Sequence, residues 1–210
     1  MNNLSPFYDT IIWDINNTWP MLTLFIAIIS IMRITTVIIN REKIVFYKEF
    51  YGLLAIIYLL LLYYLLLSTE RAASGVNLTP FKEMTRYSIG SKLFFYNVIG
   101  NVVLFIPFGY FASSYLKAKK LSHILVPSIL ISLTAEAIQF KIGRAFDVDD
   151  IILNMVGAII GFMIYISVQA MKKQLPKFLQ TNLFYNLIAL LILVVILVCF
   201  GSIWGIGWIF

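Results

Sequence analysis

Long apolar runs set the limits on how this chain can fold. A helix needs about 20 mostly apolar residues to cross the roughly 30 Å hydrocarbon core of a bilayer. Six stretches meet or approach that length: residues 19–39, 50–68, 93–116, 121–140, 150–171 and 183–203. The second, FYGLLAIIYLLLLYYLLL, carries no charge. The fourth is interrupted by Glu136, and the first holds Arg33 near one end, from which a long side chain can snorkel to the headgroups. Composition agrees: 61% of the 210 residues are hydrophobic and 12% charged, against about half and about a quarter in soluble domains. A soluble fold of this size could not hide so much apolar surface. The expected fold is an all-α, polytopic transmembrane helical bundle of about six spans. No connection between spans holds a soluble domain; the longest, residues 69–92, is too short for one.

The basic balance, a net charge of +6, is read loop by loop in such a protein. Nucleic-acid binding would need a basic face on a soluble module, and none is visible, so no nucleic-acid partner is expected. The first, third and fifth connections hold nine Lys and Arg (Arg41, Lys43, Lys48; Lys117, Lys119, Lys120; Lys172, Lys173, Lys177). The second and fourth hold six (Arg71, Lys82, Arg86, Lys92; Lys141, Arg144). The positive-inside rule then places both termini outside the cell membrane, and Trp19, Trp204 and Trp208 fit an outer aromatic belt. A cleaved signal peptide is not expected, because the first 18 residues carry no Lys or Arg.

Before the first span, Leu4, Phe7, Tyr8, Ile11, Ile12 and Ile15 fall on one helical face, and Ser5-Pro6 reads as a cap followed by proline at the first helical position. Residues 1–18 are therefore expected to form a short amphipathic helix in the outer interface. Residues 19–49 supply the first span and an inner loop, 50–172 a four-helix core, and 173–210 an inner loop and the last span.

Topology gathers the polar residues at one depth. Spans two and four end, and spans three and five begin, on the same side of the membrane. Near those ends stand Glu70, Arg71, Asn97, Asn101, Glu136, Gln139, Arg144, Asp147, Asp149, Asp150 and Asn154. Asn97 and Asn101 are four apart, so one face of span three is expected to carry both. Asp147, Asp150 and Asn154 step by three and four and form one stripe, which continues through Gly157 and Gly161, a small-xxx-small face for close helix approach. A carboxylate facing lipid near a span centre costs about 2.5–3.5 kcal/mol, so such groups are expected to point inward, pair, and mark a functional site. Two plainer readings stand beside this one. Amides between helices act as glue worth roughly 0.6–2 kcal/mol each, and Asp147, Asp149 and Asp150 could simply answer the positive end of a helix dipole.

The chemistry on offer is narrow. There is no HExxH, no G-x-S-x-G and no cysteine or histidine cluster; Cys199 and His123 are single residues, and His123 lies across the membrane from the polar group. Carboxylates, amides and guanidinium remain. Carboxylates can act as acid and base, with Glu136 and Asp150 the catalytic candidates, or hold Mg²⁺ or Ca²⁺ against a phosphate. Arginine can clamp a phosphate by two parallel bonds.

The same residues carry a family resemblance. Asn77–Phe81 (NLTPF), Asn101–Gly109 (NVVLFIPFG), Glu136 with Gln139 (EAIQ), Gly143–Asp150 (GRAFDVDD) and Asn154 with Gly157 and Gly161 (NMVGAIIG) together resemble the VanZ-like family over about residues 50–170. The positions that carry over are Asn77, Pro80, Asn101, Pro107, Gly109, Glu136, Gln139, Arg144, Asp147, Asp150, Asn154 and Gly157. Pro107 and Gly109 are expected to shape span three. Because the family is typified by a protein associated with teicoplanin resistance, the resemblance implies a bacterial cell-envelope role and effects on such antibiotics, but no reaction. The expected partner is an anionic or polyprenyl-linked membrane lipid, held by Arg71, Asn77, Asn101, Glu136, Gln139, Arg144, Asp147, Asp150 and Asn154. The rival expectations are an enzyme acting on that lipid with a carboxylate base, a flippase, and a structural or partner-binding protein.

Overall fold

The computed structural model describes the backbone of residues 5–68 and 75–203 and the side chains of residues 20–66 and 75–198. In hydrocarbon a backbone must satisfy its own N–H and C=O groups, so apolar runs fold as helices. Among the described residues there are seven α-helices: α1 (Ser5–Asn40), α2 (Phe46–Ser68), α3 (Lys82–Arg86), α4 (Lys92–Leu116), α5 (Ser122–Lys141), α6 (Val148–Gln174) and α7 (Asn182–Ile203). Five segments are long and apolar enough to cross a membrane: Pro20–Asn40, Phe46–Leu66, Lys92–Leu116, Ser122–Lys141 and Val148–Gln174. The stretch Asn182–Val198 of α7 is a shorter apolar helix. The chain is a multi-pass membrane protein.

The leading amphipathic stretch is not a separate element. Helix α1 runs unbroken from Ser5 to Asn40 with Pro20 inside it, so residues 5–18 and the first span form one helix. A helix can pass a proline where the neighbouring turn absorbs the missing N–H. The side chains of the expected amphipathic face lie outside the described residues, as do those of Trp19, Trp204 and Trp208.

Two compact units make up the chain, residues 1–60 with 175–210, and residues 61–174. In the first unit, the amide oxygen of Asn186 accepts the Tyr47 N–H at 3.0 Å, and the Tyr47 and Tyr185 rings lie 5.3 Å apart. Arg33 does not simply reach for headgroups. Its Nε and one terminal nitrogen donate to both carboxylate oxygens of Glu49 at 2.8 Å, and its other nitrogen meets Glu42 at 2.9 Å. This ion group borders a groove of about 580 Å³ lined chiefly by apolar residues, among them Ile29, Val37, Phe50 and Leu193.

In the second unit α4 and α6 pack most closely. An added Cβ at Gly109 would collide with the backbone of Ala158, one at Gly157 with the Val102 carbonyl, and one at Gly161 with the Ile106 carbonyl. The small-xxx-small face thus does what its spacing predicts. Phe105, Phe108 and Ala158 are buried beside it. Helix α5 packs on α6. Helix α4 opens with a π turn over Phe95–Ile99. Two short extended segments, β1 (Val76–Asn77) and β2 (Phe146–Asp147), pair in parallel, Val76 with Phe146 and Asn77 with Asp147. They tie the connection after α2 to the start of α6.

Candidate functional site

The four helix ends expected to share one side do meet, at the end of the 61–174 unit. The turn after α5 prepares the site. Gly143 has φ 92°, a left-handed conformation that glycine adopts freely. The Ile142, Gly143 and Arg144 N–H groups fold back onto the Ile138, Phe140 and Gln139 carbonyls at 3.0, 3.1 and 3.0 Å, closing the helix in the manner of a glycine C-cap. The chain then turns directly into β2 and α6.

Asp147 stands at the centre. Its N–H donates to Glu136 Oε2 at 2.9 Å. Its own Oδ1 accepts the Asp149 N–H at 2.9 Å, an N-cap of α6, and also the Asn77 side-chain amide at 2.9 Å. Asn77 in turn accepts the Thr79 N–H at 3.2 Å. Burial raises the Asp147 carboxyl above its ordinary value, with the bonds from the Asp149 N–H and Asn77 acting in the opposite direction.

Asp149 does something its sequence position did not disclose. It is 1% exposed, and its carboxylate accepts the N–H groups of Phe81, Glu83 and Met84 at 2.5, 2.7 and 3.3 Å. These are the orphan donors at the start of α3, so Asp149 caps a helix more than sixty residues away in sequence. Phe81, which precedes α3, has φ 66°, an uncommon conformation for a residue with a side chain.

Asn101 donates to Asp150 Oδ1 at 2.6 Å, which ties α4 to α6. Gln139 donates to the Leu66 carbonyl at 2.7 Å, and Arg144 donates to the same carbonyl at 3.2 Å, which brings the end of α2 into the group. Asn154 donates to Ser132 Oγ at 2.8 Å within the α5–α6 seam. Glu136, Arg144, Asp147 and Asp149 all lie within electrostatic reach of Asp150. Of the predicted site residues, Asn77, Asn101, Glu136, Gln139, Arg144, Asp147 and Asp150 are therefore brought together, while Asn154 is bonded to Ser132 between α5 and α6. Arg71 and Glu70 lie outside the described residues.

Asn97 departs from the expectation. It is exposed, and its amide bonds the Leu93 carbonyl of its own helix at 2.9 Å rather than joining the group. Asn101 reaches back in the same way to the Asn97 carbonyl at 3.0 Å, but its amide also donates to Asp150, which that of Asn97, one turn nearer the start of α4, does not. Sequence reasoning also passed over Ser132, fully buried and one turn before Glu136. The four-residue steps of Ser128, Ser132 and Glu136 were the available signal. Among the described residues, no three His, Cys, Asp or Glu side chains are placed to hold a metal ion.

A family model described as VanZ/LLP1 matches residues 50–171, more than half of the chain. The chain belongs to the VanZ/LLP1 family. The matched region ends close to the last residues of α6 and contains every member of the polar group. Neither the comparison with curated proteins nor that with solved structures gives a match. Membership fixes a multi-span membrane protein of the VanZ/LLP1 type. The chemistry of the site rests on its own residues.

Proposed function

We propose that this VanZ/LLP1 protein binds the headgroup of an anionic lipid or lipid-linked envelope precursor at the polar end of its 61–174 unit. The observation that carries the reading is the pair Glu136 and Asp150. Capping and fastening account for Asp147 and Asp149, whose bonds hold α3, α6 and the connection between them. Glu136 and Asp150 are different. Each uses one oxygen, towards the Asp147 N–H and the Asn101 amide, and among the described residues the other accepts nothing. A glutamine and an asparagine could do the same fastening without the cost of burying charge. The carboxylates suit hydroxyl or ammonium donors of a headgroup, while Arg144, within electrostatic reach of both, suits its phosphate. Arg71 would add a second guanidinium.

The lysine and arginine count, nine on one side against six on the other, supports an outer-leaflet position for this end. In that setting the protein would act on the outer side of a bacterial envelope and contribute to teicoplanin resistance, as the family resemblance implies. The test is lipid identification by mass spectrometry on purified wild-type and Arg144→Ala proteins. Wild type should carry an anionic species that Arg144→Ala loses, and Glu136→Gln should abolish function while the protein still inserts and folds. An unchanged lipid complement together with a normal phenotype would end the proposal.

The unengaged carboxylate oxygens also support a second reading, a membrane enzyme in which Glu136 or Asp150 is the base for a reaction at a phosphate-bearing headgroup. Turnover of a polyprenyl or phospholipid substrate by purified protein would favour it, and tight binding without turnover would count against it.

A further inference from the structure

Helices α1 and α2 do not pack against each other as α4 and α6 do. Between them lies the groove of about 580 Å³, lined by Ile34 and Val37 from α1, by Phe46, Phe50 and Leu53 from α2, and by Leu193 from α7. Hydrocarbon side chains that face a void forfeit dispersion contacts, so a gap between two membrane spans calls for a filler. The length of the groove narrows the choice. Its lining runs from Ile29 to Val37 on α1 and from Phe46 to Ile56 on α2, about 12 Å and about 15 Å at 1.5 Å per residue. Both stretches lead to the short connection where α1 ends at Asn40 and α2 begins at Phe46. The groove therefore starts at the membrane boundary and ends about halfway through the roughly 30 Å core. A crossing partner helix, about 10–12 Å across, runs through both leaflets. The chain of a lipid in one leaflet needs this length and no more.

Charge at the mouth of the groove selects the lipid. Arg33 answers both Glu49 and Glu42. Arg41, Lys43 and Lys48 stand exposed in and beside the connection. Four basic side chains are set there against two acidic ones, so positive charge is in excess. Lys43 directly precedes Ile44, an exposed residue that lines the groove. Arg41 has φ 52°, where the Glu42 N–H closes on the Val37 carbonyl at 3.1 Å, which fixes the backbone of the turn. Basic side chains at a membrane boundary attract anionic headgroups, and basic pockets between spans hold them. A general bias of lysine and arginine towards one side accounts for the charges. It does not account for an apolar groove one leaflet deep that opens beside them.

We propose that the α1–α2 groove is a lipid site, which takes one acyl chain of an anionic phospholipid whose phosphate lies against Arg41 and Lys43. The lipid fills the gap and joins α1 to α2 where their own side chains do not. This goes beyond the headgroup proposal and does not depend on it, because the groove uses none of the residues of the polar group. Helix α2 begins at the groove mouth and carries Leu66, the contact of Gln139 and Arg144, near its other end. Most of the groove lining also lies outside the matched residues 50–171.

The experiment uses the full chain reconstituted in phosphatidylcholine vesicles with a small fraction of phosphatidylglycerol that carries a photoreactive diazirine midway along one chain. After illumination the adducts are mapped by peptide mass spectrometry. In wild type they should concentrate on residues 29–37 and 46–56. Unlabelled phosphatidylglycerol should compete them away, and the same amount of extra phosphatidylcholine should not. Gly52 lines the groove with open space at its Cβ position, so Gly52→Leu should occupy the space, keep the helix and lose the adducts. With the probe far below saturation, Lys43→Gln should lower the groove labelling about fivefold. Labelling spread evenly over the spans would overturn the inference, as would equal competition by the two lipids or adducts that survive Gly52→Leu. Dimer cross-links in place of lipid adducts would assign the groove to a second copy and overturn it too. If Gly52→Leu does not insert, Lys43→Gln decides: undiminished labelling counts against the site. Arg144→Ala should leave the groove adducts unchanged, and their loss in that variant would trace them to the polar end instead. Groove adducts in a protein that holds no headgroup at the polar end would sink the headgroup proposal alone.

Discussion

At the scale of single residues, Asp149 and Asp147 show how much of an acidic run can be architecture. Asp149 receives three backbone N–H groups from the start of α3. Hydrogen bonds to charged acceptors contribute about 1.5–3 kcal/mol, so Asp149→Ala should loosen the 76–90 connection by an amount of that order. Limited proteolysis by trypsin at Lys82 and Arg86 should accelerate in the variant, and an unchanged cleavage rate would show that something else holds the segment. Asp147 makes a prediction about pH. Its carboxyl lies above the ordinary value of 3.8, mainly through burial, so the folded state binds that proton more tightly than the unfolded state. Stability then falls as pH rises from the ordinary value through the folded one, and the penalty is complete above it. Asn at this position can still accept from the Asp149 N–H and remains neutral. Unfolding midpoints of wild type and Asp147→Asn, taken from about pH 4 to about pH 8, should draw together at the acid end and separate in favour of the variant at the other. A constant difference across that range would mean that Asp147 does not titrate there.

At the scale of elements, the α4–α6 contact depends on the absence of three side chains. The clashes that Cβ atoms would meet at Gly157 and Gly161 are with main-chain atoms of α4, which cannot rotate away. Overpacking costs typically about 1–3 kcal/mol, and Gly157→Ala and Gly161→Ala should each lower the unfolding midpoint in detergent by at least that equivalent. Gly52, which has open space around its Cβ position, should accept alanine without loss and serves as the control. This packing face was legible in the sequence because its four-residue step needs only a regular helix. The meeting of four helix ends was legible for a different reason: alternating passes through a membrane force every second connection to one side. What failed to show was whatever depended on irregular or distant geometry. Nothing in FYNVI announces the π turn in which Asn97 sits, and its exposure is not written in its spacing from Asn101. The Asp149 cap was invisible because its partners stand far away in sequence, and Asp149 falls off the Asp147, Asp150, Asn154 stripe, so periodicity gave it no role. Residues 1–18 read as a helix of their own because their one-faced pattern differs from the apolar run that follows, and only the backbone shows α1 continuing through Pro20.

At the scale of the whole molecule, the family match begins at residue 50, inside α2. Helix α2 supplies residues to both compact units, its Leu66 carbonyl taking part in the polar group of the second. The orientation inferred from the lysine and arginine count can be tested directly. With Cys199 replaced by serine, a membrane-impermeant thiol reagent applied to intact cells should label Thr79→Cys and spare Lys119→Cys. The reverse pattern would turn the protein over and move the polar end to the cytoplasmic leaflet. The headgroup proposal would then need an inner-leaflet lipid, while the hydrogen bonds among Glu136, Asp147 and Asn77 would be unaffected.

The π turn of α4 has one more consequence. A helix that accommodates a surplus residue can also give it up. Deleting Val98 would return the segment to regular winding and rotate everything before it by about 100° relative to Asn101. That single excision would turn Asn97, Phe94 and Phe95 to a different side of the helix. Such a shortened helix should still insert, and its altered fit to the connection from α3 would reveal how far the entrance to the cluster depends on one residue's worth of slack.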